Sequence, residues 1–196
     1  MADWGVHLLD YAMKGMNVGL PSYVYGAGGK YAYPDDAMET PDTLMATYKY
    51  PDFNIIWDHA CGIGTGLYGQ REGVAFLGEN GTLILTRSGW EVVPEQQVNS
   101  RNFPYCYPCD DERKPNTPRM EAIEKRKGSG KGLYLHVGNM LDCMRSRELP
   151  KGDIAIGAEV AKLSHMANIS CRVGSGLNWD NETGTFDNLE ANRLAK

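Results

Sequence analysis

The chain has no run of about 18 consecutive apolar residues, so no segment of it reads as a membrane-spanning helix. Positive charge is scarce: 20 Lys and Arg stand against 25 Asp and Glu, for a net charge of −5. The longest basic tract is Glu124-Lys125-Arg126-Lys127, too short for a phosphate-backbone footprint, and nucleic acid is not an expected partner. Nucleotide-binding signatures are missing as well. Gly26-Ala-Gly28-Gly29 follows a strand-like run but leads into Pro34-Asp35-Asp36 rather than a helix, and Gly62-Ile-Gly64-Thr-Gly66 lacks the third glycine spacing. With no P-loop either, the chain alone is not expected to hold a dinucleotide, and no cofactor-binding residue is assigned. No metal site is assigned, because Cys106-Tyr-Pro-Cys109 has no further ligands at a matching spacing. Five cysteines cannot all pair within one molecule, which favours a reducing, cytoplasmic compartment.

What is present is ordinary for one globular domain: 196 residues, 42 % hydrophobic and 23 % charged. A helix opens almost at residue 1. At about 100° per residue, Asp3, His7, Asp10 and Lys14 fall in a sector of roughly 60°, opposite Trp4, Leu8, Leu9, Ala12, Met13 and Met16. Any amphipathic helix has a polar face, so spacing alone does not make a catalytic pair. The chemistry adds to it: an Asp four residues from a His can accept its N–H and raise its basicity, as a general base requires. The secretory pattern of a basic segment followed by an apolar core is missing from this start, and so abrupt a beginning carries the expectation that a preceding part of the parent protein is absent.

Further along, Ser22–Ala27 reads as a strand, and Thr43–Tyr50 and Phe53–Ala60 as a hairpin turned by Pro51-Asp52. Gly73–Leu77 and Thr82–Thr86 flank Asn80-Gly81, a dipeptide suited to a turn of positive φ, and Trp90–Val93 follows. These strands predict one sheet of five or six, covered on one face by helices. Pro, Gly and charge from Val98 to Gly132 predict a long irregular insertion. Helical periodicity returns over Leu133–Arg147 and Ile154–Arg172, where His136 and His165 read as structural histidines. The fold class is therefore α+β, a largely antiparallel open sheet with helices on one face.

Asp3-x-Gly5-x-His7-x-x-Asp10 resembles the D-x-G-x-H-x-x-D motif that opens the C-terminal domain of the Gfo/Idh/MocA oxidoreductases. The likeness continues through Gly73–Gly78, Gly81-Thr-Leu, the stretch His136–Arg147, Ala167-Asn168-Ile169 and Trp179-Asp180, so it reaches most of the chain outside residues 98–132. It implies that residues 1–196 form one such domain, similar to the C-terminal domain of glyceraldehyde-3-phosphate dehydrogenase. It also implies that Asp3 and His7 are the catalytic pair, with His7 handling the proton of a sugar or polyol hydroxyl while hydride passes to NAD or NADP. The cofactor and the catalytic Lys of an E-K-P motif would belong to an N-terminal Rossmann domain that this chain lacks. Trp4, Asp10, Tyr11, His59, Tyr68 and Arg71 are the candidate substrate contacts, and the open sheet face is the expected homo-oligomer surface. Alternatives on the same fold are an NAD-dependent glycoside hydrolase and a non-catalytic carbohydrate-binding or assembly module.

Overall fold

The computed structural model of the chain describes residues 1–97, 117–121 and 123–196. The Cys106/Cys109 pair and most of the expected insertion lie outside them. Contacts divide the chain into two units, one of residues 1–65 with 136–196, the other of residues 66–135.

The first unit opens with helix α1 (Trp4–Met16), which stops where Asn17 takes the left-handed conformation at φ 53 and its N–H caps Lys14 and Met13 carbonyls. Asn accepts that conformation at lower cost than most residues. Strands β1 (Tyr23–Gly29), β2 (Thr43–Lys49) and β3 (Asn54–Ala60) follow, antiparallel throughout. The Pro51-Asp52 turn closes as the sequence predicts, with the Tyr50 N–H donating to the Phe53 carbonyl at 3.0 Å. After the second unit come α3 (Ile154–Val173), β10 (Leu177–Asp180), β11 (Thr185–Phe186) and α4 (Leu189–Leu194). The sheet order is β11-β10-β1-β2-β3. Asp153 caps α3 by accepting from the Ala155 N–H.

Period-two alternation puts Val24, Leu44, Ala46, Tyr48 and Trp57 on one face, where they are buried with Leu9, Met13, Leu163, Met166 and Leu177. Helix α3 lies very close to β1. A side chain at Gly26 would place its Cβ 2.6 Å from the Ala167 carbonyl oxygen, so only glycine fits. Gly26 N–H donates to Ser170 Oγ at 2.9 Å, and that hydroxyl donates to the Ser175 carbonyl at 2.7 Å. The wholly buried Tyr48 turns its hydroxyl to the Leu163 carbonyl at 3.1 Å, and burial holds its ionisation far above the ordinary tyrosine range.

Strands β4 (Val74–Leu77), β5 (Gly81–Thr86), β6 (Gly89–Pro94) and β9 (Ile123–Lys127) make a separate sheet in the second unit, beside a short pair of β7 (Gln96–Gln97) and β8 (Thr117–Pro118). The strands expected in one sheet thus fall into separate hydrogen-bonded sheets, each antiparallel. The β4–β5 turn forms with the Gly78 N–H donating to the Gly81 carbonyl, yet neither Asn80 nor Gly81 has positive φ, contrary to the reading of that dipeptide. Helix α2 (Gly132–Ser146) contains no buried residue.

Asp42 has no accessible surface, and its carboxylate accepts from the N–H groups of Tyr31 (3.0 Å), Ala32 (3.1 Å) and Tyr33 (2.8 Å) and from the Thr43 hydroxyl (2.8 Å). Burial pushes its pKa up, but the donors from Tyr33, Tyr31, Thr43 and Ala32 outweigh it and hold the group down to about 2. An unfolded Asp titrates near 3.9, so the stabilisation by this carboxylate is fully present above about pH 4 and is lost as pH falls toward 2. Asp42→Asn is expected to lower the melting temperature clearly near pH 6, with the gap from the parent closing toward pH 2. A gap independent of pH would show that the charge is not what holds the 31–33 segment.

Candidate functional site

Helix α1 carries its core contacts on Gly5, Leu9, Ala12 and Met13, and this fixes which side faces outward. Asp3, His7, Tyr11 and Lys14 are exposed and Asp10 is half-buried. Trp4 is also outward, 47 % exposed, against the expectation that it packs with the leucines, because Gly5 and Leu9 already occupy the seam beneath the first turn. Its ring meets the His7 imidazole edge-on, with centroids 6.3 Å apart and planes at 74°. Helical spacing then sets the outward face in order: Asp10 and Asp3 along one edge, His7 in the middle, Tyr11 and Trp4 along the other. Carboxylates beside an imidazole, flanked by aromatic rings, suit a polyhydroxylated ligand: hydroxyls meet the polar edge and a C–H face meets the rings.

Asp3 occupies the N-cap position of α1, and its side chain makes no capping bond and no hydrogen bond to His7. The expected clamp of one residue on the other is therefore not formed, because Asp3 stands where the chain enters the helix rather than on a full helical turn.

His59 lies half-buried on β3. The Trp57 indole N–H donates to His59 Nδ1 at 2.8 Å, and His59 Nε2 faces the Pro41 carbonyl at 3.3 Å. Nδ1 must hold a lone pair to accept, so the proton sits on Nε2 and both ring nitrogens are engaged within the chain. Burial, followed by the charge of the Met1 ammonium, lowers the His59 pKa; the Pro41 carbonyl, Asp58 and Asp42 act the other way.

Tyr68 and Arg71 belong to the second unit and are exposed. Tyr68 has φ 55, the left-handed region, within a short turn at Leu67–Gly69. Between them, Gln70 lines a cavity of about 210 Å³ whose wall includes Ile84, Trp90, Lys125 and Lys127. Arg126 lies 5.7 Å over the Trp90 ring, and Lys125 pairs with Glu91 at 3.1 Å. β9 lies inside the stretch expected to be irregular, because its run of charges has no apolar alternation to mark a strand.

Two of the glycines that might have cradled a cofactor's phosphates, Gly26 and Gly28, are committed to packing. Gly26 abuts Ala167, and a Cβ at Gly28 would sit 2.3 Å from the Thr43 carbonyl oxygen. Among the described residues no strand, glycine loop and helix combine in the order a dinucleotide needs. Nor does any group of His, Cys, Asp and Glu among them have the geometry to hold a metal ion.

The sequence matches no protein-family profile and no curated protein. Solved structures do match by shape. Levoglucosan dehydrogenase in complex with NADH superposes on 90 % of this chain with a TM-score of 0.56 and 14 % identity, covering 49 % of its own length. YvaA from Bacillus subtilis, provisionally classed as an oxidoreductase, gives 91 %, 0.56, 13 % and 52 % in the same order. The WlbA dehydrogenase of Bordetella pertussis, in complex with NADH and UDP-GlcNAcA, gives 91 %, 0.50, 17 % and 44 %. The chain shares the fold of these oxidoreductases. It spans about half the length of each. No helix is long and apolar enough to cross a membrane among the described residues.

Proposed function

We propose that this chain is the substrate-binding and assembly portion of an oxidoreductase that moves hydride between a carbohydrate hydroxyl carbon and NAD or NADP. The observation that carries the reading is the outward face of α1. It sets His7 between carboxylates and aromatic rings, on a fold shared with dehydrogenases solved with NADH. In this reading His7 takes the proton of the hydroxyl being oxidised and returns it in the reverse direction. Asp3 and Asp10 accept hydrogen bonds from neighbouring hydroxyls, and Trp4 and Tyr11 bound the sugar ring. The nicotinamide, when bound, supplies the hydride acceptor. In this reading the dinucleotide is held by a Rossmann domain outside this chain.

Two apolar surfaces support assembly. On the sheet face away from the helices, Tyr25, Met45 and Ile56 are 46, 58 and 69 % exposed, and the register sets Tyr25 and Ile56 in one row across Thr47. Leu133, Val137, Met140 and Met144 of α2 are exposed at 74, 41, 49 and 60 %. Exposed apolar patches on a stable chain mark contact surfaces. We assign the sheet face to a second copy and α2 to the cofactor-bearing domain.

In the complete enzyme, His7→Ala is expected to reduce sugar-dependent NADH formation by about 10²-fold or more, while the isolated chain shows no saturable NAD(H) binding. Full activity of the variant would make the chain a binding or assembly module; sugar release without net NADH would make the enzyme a glycoside hydrolase. For assembly, sedimentation at tens of micromolar is expected to give a dimer or larger for the parent and a monomer for Ile56→Glu. A monomeric parent would remove the sheet face from the account.

A further inference from the structure

We infer that Trp57 and His59 form a proton-sensitive brace that positions the first turn of α1, and with it the face that carries His7. Trp57 and His59 are two residues apart on β3, so their side chains leave the same side of the strand, and their rings are 5.9 Å apart. Trp57 is 7 % exposed. One end of its indole donates to His59 Nδ1, and the other end, Cη2, lies 3.8 Å from where a Cβ on Gly5 would stand. Gly5 is buried midway between Asp3 and His7 in the chain. The ring thus borders the space beneath the turn that presents the candidate pair, together with Met1 Cγ at 3.4 Å and Ser164 Oγ of α3 at 3.5 Å from the same position.

The brace depends on one tautomer. His59 accepts at Nδ1 and donates from Nε2 to the Pro41 carbonyl, so the neutral ring is fixed at both ends. A second proton would convert Nδ1 from acceptor to donor, facing the indole N–H. Two donors cannot share that contact, so one ring must turn away and the support under Gly5 loosens. Asp58 and buried Asp42 favour that proton and burial opposes it; the Met1 amino group opposes it too, but only where it is a free terminus. Burial is the largest influence, so the ring is neutral and the brace closed at neutral pH; it opens only as pH falls below the ordinary histidine range, near 6.5.

Only the consequence for catalysis rests on the proposed reading; the brace is a property of the folded chain and is tested without sugar or cofactor. The ¹⁵N-labelled full chain is titrated from pH 7.5 to 4.5, with the Trp57 indole resonance assigned through Trp57→Phe. At pH 7.5 the His59 ring nitrogens should report the Nε2–H tautomer; the other tautomer overturns the proposal. On acidification the Trp57 indole and the Gly5 amide should move together in one transition below about pH 6.5. In His59→Gln, whose side-chain amide can both accept from the indole and donate to Pro41, the starting pattern should persist and the shared transition vanish. Independent movement of the two resonances, or a transition that survives in His59→Gln, overturns the brace and leaves the reading of His7 untouched. Loss of that reading through the activity of His7→Ala would leave the brace intact.

Discussion

The close approach of α3 to β1 is the constraint from which the rest of the first unit follows. Gly26 has no side chain because the Ala167 carbonyl occupies the space, and its N–H is satisfied by Ser170 rather than by water. The helix held there supplies Val160, Leu163, Met166, Ala167 and Ile169 to the core and receives the Tyr48 hydroxyl on the Leu163 carbonyl. With α3 fixed on one face, α1 has a seam to settle into through Gly5, Leu9 and Met13, and its polar side has to point away. The same contact commits the helices to one side and leaves Tyr25, Met45 and Ile56 exposed on the other.

Much of this was legible in the chain. Alternation over β2 and β3 and the Pro51-Asp52 turn gave the hairpin, because local chemistry and burial agree there. Helix α3 showed itself by its apolar period and closed at Gly174, which takes φ 71 as a C-terminal glycine should. Strands β10 and β11 were not legible: Asn178 and Asp180 are weak strand formers, and pairing of Tyr23 with Asn178, far away in sequence, draws β10 into the sheet with β11 at its edge. Buried Asp42 was equally silent, since nothing in a polar loop marks which carboxylate will collect the backbone donors of Tyr31, Ala32 and Tyr33.

The candidate site divides in the same way. The sector of Asp3, His7 and Asp10 followed from helical geometry, and its outward direction agrees with the exposure of those side chains. Trp4 was legible only in part: an amphipathic count sets it with the apolar side, whereas the resemblance sets it beside His7, and its 47 % exposure agrees with the second. The position of His59 could be read from the chain but its bonds could not. Its partners, Trp57 and Pro41, are a neighbour on the same strand and a carbonyl from another segment.

Under the proposed function this chain would handle the proton of a hydride transfer, and residues beyond it would hold the dinucleotide. Sequencing the encoding locus upstream of the Met1 codon tests that division most directly. The expected result is an in-frame extension that encodes a strand, a glycine-rich turn and helix, and later an E-K-P. A stop codon immediately upstream would make the chain an independent module and would contradict the assignment.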